Sequence, residues 1–241
     1  MEAIKTENLT KRYKDTVAVD NLSLSVEKGE LFSLLGVNGA GKTTTIKMLS
    51  CLTLCDGGDA FLNGYSILSD TAKVKEIIAV SPQETAVAPN LTVKENLELI
   101  CGIHGFSKEE TKEKVKTQTK LLGLESVINK KAAKLSGGYK RRLSIALALI
   151  SEPEILFLDE PTLGLDVLAR ADLWDIIKEL KGKITIVLTT HYMEEAEALS
   201  DKIAIMKDGK LLICDTAENI KKTAKTDNFE EAFVNIVRGS K

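Results

Sequence analysis

The octapeptide Gly36-Val37-Asn38-Gly39-Ala40-Gly41-Lys42-Thr43 constrains this chain more than any other stretch. It follows a short apolar run, LFSLL, and precedes a helical pattern, TTTIKMLSC. Glycines so placed let successive backbone N–H groups point inward at phosphate oxygens, where side chains would block the approach. Lys42 offers a positive charge to β- and γ-phosphates, Thr43 offers a hydroxyl to Mg²⁺, and the start of the following helix favours an anion. The spacing is that of a phosphate-binding loop between strand and helix. Gly36, Asn38, Gly39, Ala40, Gly41, Lys42, Thr43 and Thr44 are thus candidate nucleotide-binding residues.

The rest of the chain reads as strands alternating with helices. IIAV (77–80), ILFLD (155–159) and ITIVLTT (184–190) are near-continuous apolar runs, as expected of parallel strands covered on both faces. VLARADLWDIIKELKG reads as a helix ending at Gly182, YMEEAEALS as a short helix, and KIAIMKDGKLLI as a hairpin turning at Asp208-Gly209. This order predicts a three-layer α/β core. Two regions differ. Residues 1–30 alternate polar and apolar, which predicts antiparallel strands beside the core. Residues 88–150 show no strand pattern, and Ser107 and Glu110 stand at capping-box spacing. The expected division is a core with an antiparallel β subdomain (1–87 and 151–217), an inserted helical subdomain (88–150) and a helical tail (218–241).

Composition narrows the function. Of 241 residues 44% are apolar, enough for a sizeable core. Lys+Arg (33) nearly balances Asp+Glu (35) and aromatics are only 5%, which argues against a nucleic-acid surface. No apolar run approaches the roughly 18–20 residues that span a bilayer, and the start MEAIKTENLT does not read as a secretion signal. Cys51, Cys55, Cys101 and Cys214 lack ligand-like pairing and read as buried thiols in a reducing compartment.

Polar groups fall at the C-terminal ends of the expected strands, where ligands sit in open parallel sheets. Asp159 is placed to hold Mg²⁺ through water opposite Thr43. Glu160, one residue on, should point elsewhere if the chain stays extended, and is the candidate to polarise an attacking water. Gln83 follows a second strand, as an Mg²⁺ ligand or water-orienting amide, and His191 follows a third. Asp166 reads equally as an N-cap or a functional carboxylate. About a hundred residues after the phosphate loop, Ser136-Gly137-Gly138 opens another helix in LSGGYKRR, a second anion site with no lysine of its own.

Taken together, GVNGAGKTT, Gln83, LSGGY, ILFLDEP, LGLD and His191, in this order, resemble the ATP-binding subunit of a bacterial ABC transporter. The resemblance implies a P-loop NTPase fold, with ATP and Mg²⁺ bound between two copies of the chain. Ser136, Gly137 and Gly138 of one copy would grip the γ-phosphate held by the other. It further implies that Tyr13 stacks on adenine and Gln83 senses the γ-phosphate. Glu160 and His191 would act in hydrolysis, and a separate permease would be the membrane partner of a peripheral, cytoplasmic-face subunit. Tyr139 stands where glutamine is commoner, and Leu163 where serine is more usual. The segment THYMEEAEALSDKIAIMKDGK and the tail resemble export-type subunits. The competing class, a soluble ABC ATPase acting on nucleic acid or ribosomes, would require coiled-coil insertions or a second set of motifs, and the chain has neither.

Overall fold

Segments that are apolar at nearly every position become strands buried on both faces. β3 (Leu31–Leu35), β7 (Ile155–Asp159) and β8 (Thr185–Thr190) are buried at every residue in the computed structural model, which describes residues 1–239. With β6 (Ile78–Ser81), β9 (Lys202–Lys207) and β10 (Lys210–Asp215) they form a six-stranded sheet ordered β10-β9-β3-β8-β7-β6. Every neighbouring pair is parallel except β10 with β9, the expected hairpin at Asp208-Gly209. The C-terminal ends of β3, β8, β7 and β6 therefore share one edge.

Alternating segments at the start of the chain pair as predicted. β1 (Glu2–Tyr13) and β2 (Thr16–Glu27) are antiparallel. The other half of that sheet, β4 (Gly57–Leu62) and β5 (Tyr65–Ser66), was not expected from the sequence and extends it in the order β2-β1-β4-β5. Its signal was Asn63-Gly64 between them, a dipeptide suited to a left-handed turn; both residues have positive φ (48° and 86°). The two sheets enclose a core in which Phe32 and Phe157 are fully buried, together with Ile46 and Met48 of α1 (Lys42–Leu49).

The helix α2 (Thr71–Ile77), also missed, leads into β6. Three helices, α3 (Val93–Ile103), α4 (Lys108–Leu121) and α5 (Gly137–Leu149), occupy most of 88–150. Both α3 and α4 start with complete capping boxes, Thr92/Glu95 and the foreseen Ser107/Glu110. The remaining helices are α6 (Val167–Leu180), α7 (Met193–Leu199), α8 (Ala217–Ala224) and α9 (Phe229–Gly239). Phe229 and Phe233 of α9 are buried against Ile203 and Ile205 of β9. Cys101 is buried, but Cys51, Cys55 and Cys214 are only partly so, which corrects the expectation of buried thiols.

Candidate active site

The phosphate loop is the turn from β3 into α1. Its shape needs glycine at two places for different reasons. A Cβ on Gly36 would lie 2.5 Å from the Met206 carbonyl oxygen, and one on Gly41 would lie 2.4 Å from that of Ala18. Gly41 also has φ of 100°, a conformation that side chains disfavour, and it stands just before the first turn of α1. The loop borders a cavity of about 440 Å³. Asn38, Gly39, Ala40, Gly41, Lys42, Thr43 and Thr44 line it, joined by Gln83, Glu160 and His191 from the other strand ends. Sequence separations of up to about 150 residues collapse into one opening because β3, β8, β7 and β6 are sheet neighbours.

The polar groups at these strand ends form two connected sets, the first reaching back from Thr43 to buried Asp159 and Thr189. In the first, the Thr43 hydroxyl donates to Asp159 Oδ1 at 3.1 Å, and the Thr189 hydroxyl donates to the same oxygen at 2.5 Å. In the second, the Glu160 carboxylate bridges two cations or potential cations. Its Oε1 is 3.6 Å from Lys42 Nζ and its Oε2 is 2.7 Å from His191 Nδ1. A carboxylate only accepts, so His191 Nδ1 carries the hydrogen of this contact. Lys42 also donates to the carbonyls of Gly36 (2.7 Å) and Val37 (3.3 Å). Burial pushes the Lys42 ammonium below its usual range, and the charges of Glu160 and Asp159 oppose that shift.

Glu160 departs from the alternation expected of an extended chain. Its φ is 48°, a left-handed conformation unusual for a non-glycine residue. The backbone turns as it leaves β7, held by Glu160 N–H donating to Thr189 O (3.1 Å) and Oγ1 (3.0 Å). Consecutive carboxylates therefore both meet the phosphate loop, Asp159 at Thr43 and Glu160 at Lys42, rather than facing opposite ways. Local strain of this kind, of order 1–3 kcal/mol, concentrates at functional sites.

Arg141, which the sequence reading did not single out, ties the site to α5. Its guanidinium donates to Pro82 O (2.6 Å), Gln83 O (2.7 Å) and Glu160 O (3.2 Å), and only 4% of the residue is exposed. The available signal was a helical phase that puts an arginine on the same face as Ser144 and Ile145, both buried. Thr16, Ala18 and Leu163 also line the cavity without having been foreseen. Tyr13 lies at the end of β1 opposite Thr16; its side chain is 45% exposed and does not border the cavity. Asp166 caps α6, accepting from Ala169 N–H at 2.9 Å. Ser136 caps α5, accepting from Tyr139 N–H, and Ser136, Gly137 and Gly138 are not part of the cavity wall. Ser136 and Gly137 are exposed.

Comparison with known proteins agrees with this geometry. The sequence profile of the family described as "ABC transporter" matches residues 19–163, more than half of the chain. The chain belongs to the ABC transporter family. It is 39% identical over 218 residues to the linearmycin resistance ATP-binding protein LnrL of Bacillus subtilis, covering 90% of this chain and 70% of that one. To the human phospholipid-transporting ATPase ABCA3 it is 41% identical over 223 residues, 91% of this chain but 13% of the relative. The chain thus spans about a tenth of the length of such human relatives. Among solved structures, the ATP-binding subunit of an ABC transporter superposes with a TM-score of 0.85 at 28% identity, over 97% of this chain and 99% of the other. A dimeric post-hydrolysis ATP-binding cassette bound to ADP and Pi gives 0.79 at 29% identity, over 88% and 98%. The resemblance read from the motifs, and the α/β fold it implied, are borne out.

Proposed function

We propose that this member of the ABC transporter family binds and hydrolyses ATP as a pair of identical chains and drives a separate membrane permease, with export as the direction. One observation carries the reading: the Glu160 carboxylate is held between Lys42 and His191 at the mouth of a cavity walled by the phosphate loop. Resistance and multidrug names among the relatives, LnrL and the Escherichia coli protein YbhF (35% identical, 97% of this chain and 41% of that one), support export. No helix among the described residues is long and apolar enough to cross a membrane. In this reading the permease is a partner, and the pair works at the membrane's cytoplasmic face.

Mg²⁺ fits the donor set. The Thr43 hydroxyl and Asp159 Oδ1 converge at 3.1 Å, and the Gln83 amide lines the same opening; all are hard oxygen donors. These three would hold the ion, which when bound neutralises phosphate charge. The chain's own groups do the rest. Loop N–H groups and Lys42 orient the phosphates of the substrate. Glu160, with its carboxylate aligned by His191 Nδ1, takes the proton of the attacking water. With Nδ1 committed to Glu160, His191 would donate to the γ-phosphate through an Nε2–H when the ring carries both hydrogens. Ser136 and the N–H groups of Gly137 and Gly138, at the start of α5, would reach the γ-phosphate held by the second copy, so ATP favours the closed pair and hydrolysis releases it.

Glu160→Gln tests this directly. It keeps the shape but removes the base, so kcat should fall by about 10²–10⁴ while ATP affinity stays within about threefold. ATP should then accumulate a dimer visible by size-exclusion chromatography. Normal turnover in Glu160→Gln sinks the assignment.

A further inference from the structure

A buried carboxyl lies behind the site without a part in the reading above. Glu195, in the first turn of α7, is 0% exposed. Its Oε1 accepts from Trp174 Nε1 of α6 at 3.1 Å. The hydroxyls of Thr190, at the end of β8, and Thr162, two residues after Glu160, lie beside it. Both Glu195 Oε2 and Thr162 Oγ1 are buried with no hydrogen-bond partner of normal geometry. One side chain thus touches β8, α6 and the turn that carries Glu160. A second contact joins the same elements: the Arg170 guanidinium of α6 sits 4.7 Å from the Tyr192 ring, which itself packs 4.2 Å from the His191 ring.

We propose that Glu195 is a positioning residue for hydrolysis: its carboxyl locks the first turn of α7 to α6 and to the Glu160–Thr162 turn, which sets the His191–Glu160 contact. The logic is geometric. His191 is the residue after β8 and Glu160 the residue after β7; their strands are tied at Thr189, and Glu195 adds a second tie beyond the strand ends, where the two side chains meet. Glu195 spans them, through Thr190 and its own helix on one side and Thr162 on the other. Burial and the nearby charge of Glu160 hold the Glu195 carboxyl above its usual range, whereas the hydroxyls and Trp174 pull the other way; burial is the larger effect. A neutral acid satisfies the surroundings, since Oε1 accepts from Trp174 while an Oε2–H can donate to Thr162. Arg141 also senses Glu195 across the interior.

Rescue by the isostere follows. In Glu195→Gln the amide oxygen accepts from Trp174 and the amide N–H donates to Thr162. Glu195→Ala loses both. The role rests on the proposed ATPase reading, so one readout is independent of it: with only two histidines, His104 and His191, imidazole ¹⁵N spectra of the full chain without nucleotide resolve His191. Support is a displaced His191 Nδ1 resonance in Glu195→Ala, with kcat down tenfold or more and KM for ATP within twofold. Glu195→Gln should match wild type in all three. Wild-type kcat with an unmoved His191 signal in Glu195→Ala overturns the proposal, as does a rise in KM at constant kcat. Equal damage in Glu195→Gln overturns it too. Should Glu195→Ala fail to fold, Trp174→Phe keeps an aromatic side chain and removes the donor: a threefold or larger loss of kcat with a displaced His191 signal supports the role, and wild-type behaviour refutes it. A wild type that hydrolyses no ATP defeats the functional reading, and the His191 resonance alone then decides for or against Glu195.

Discussion

Arg141→Met should separate the support of the site from its chemistry. The guanidinium makes two short contacts, 2.6 Å to Pro82 O and 2.7 Å to Gln83 O, and a longer one of 3.2 Å to Glu160 O. Charge-assisted hydrogen bonds contribute about 1.5–3 kcal/mol each, so the two short ones amount to roughly 3–6 kcal/mol. Methionine removes the cost of burying a charge, which offsets about 1–2 kcal/mol. The net loss is about 3 kcal/mol, or roughly 6–12 °C in Tm for a chain of this length. Burial already pushes the Arg141 pKa down, as expected of a cation held away from water. Arg141→Lys keeps the charge without the planar fork and should lose about half as much. Arg141 does not line the cavity, so ATP affinity should stay within about threefold while kcat falls with the misplacement of Gln83 and Glu160. Urea unfolding and steady-state ATPase assays measure both. A variant within about 0.5 kcal/mol of wild type and of equal turnover would refute the argument.

Three further outcomes are expected. Ser136→Arg places a bulky cation on the exposed cap of α5; ATP binding by the single chain should persist and ATP-driven dimerisation should vanish, and loss of binding by the monomer would mean that the group acts within its own chain. Gly41→Ala forces a Cβ to 2.4 Å from Ala18 O at φ of 100°, so stability in urea should drop by at least about 2 kcal/mol, with nucleotide binding lost alongside. Because the folded Glu195 pKa is raised above 4.5, its contribution to stability is fully present below pH 4.5 and is lost as pH rises through the folded value. Glu195→Gln should therefore lose less unfolding free energy than wild type between pH 5 and pH 8; equal losses contradict the sign.

Local signals were readable and long-range consequences were not. The phosphate loop, the capping box at Ser107/Glu110 and the hairpin at Asp208-Gly209 each depend on a few contiguous residues, so their patterns survive in one dimension. β4 and β5 escaped because short, partly buried strands with a weak alternation gain their stability from pairing with β1, some fifty residues away. Glu160 was placed correctly at a strand end but with the wrong backbone: alternation applies to extended chain, and its left-handed turn is imposed by Thr189 on the neighbouring strand. Arg141 and Glu195 resemble ordinary charged helix positions until burial is known.

What the chain's order of residues determined by itself is the chemistry on offer: a loop of glycines with a lysine and a hydroxyl, carboxylates after one apolar strand, an amide and a histidine after two others, and a serine-capped helix apart from them. Only the tertiary structure decided which of these meet. Parallel pairing of β3, β8, β7 and β6 brings four strand ends to one edge, and the buried Arg141 and Glu195 brace the turns that leave it. Hydrogen-bond geometry is set to tenths of an ångström by packing between elements far apart in the chain, and no local pattern encodes a distance between them.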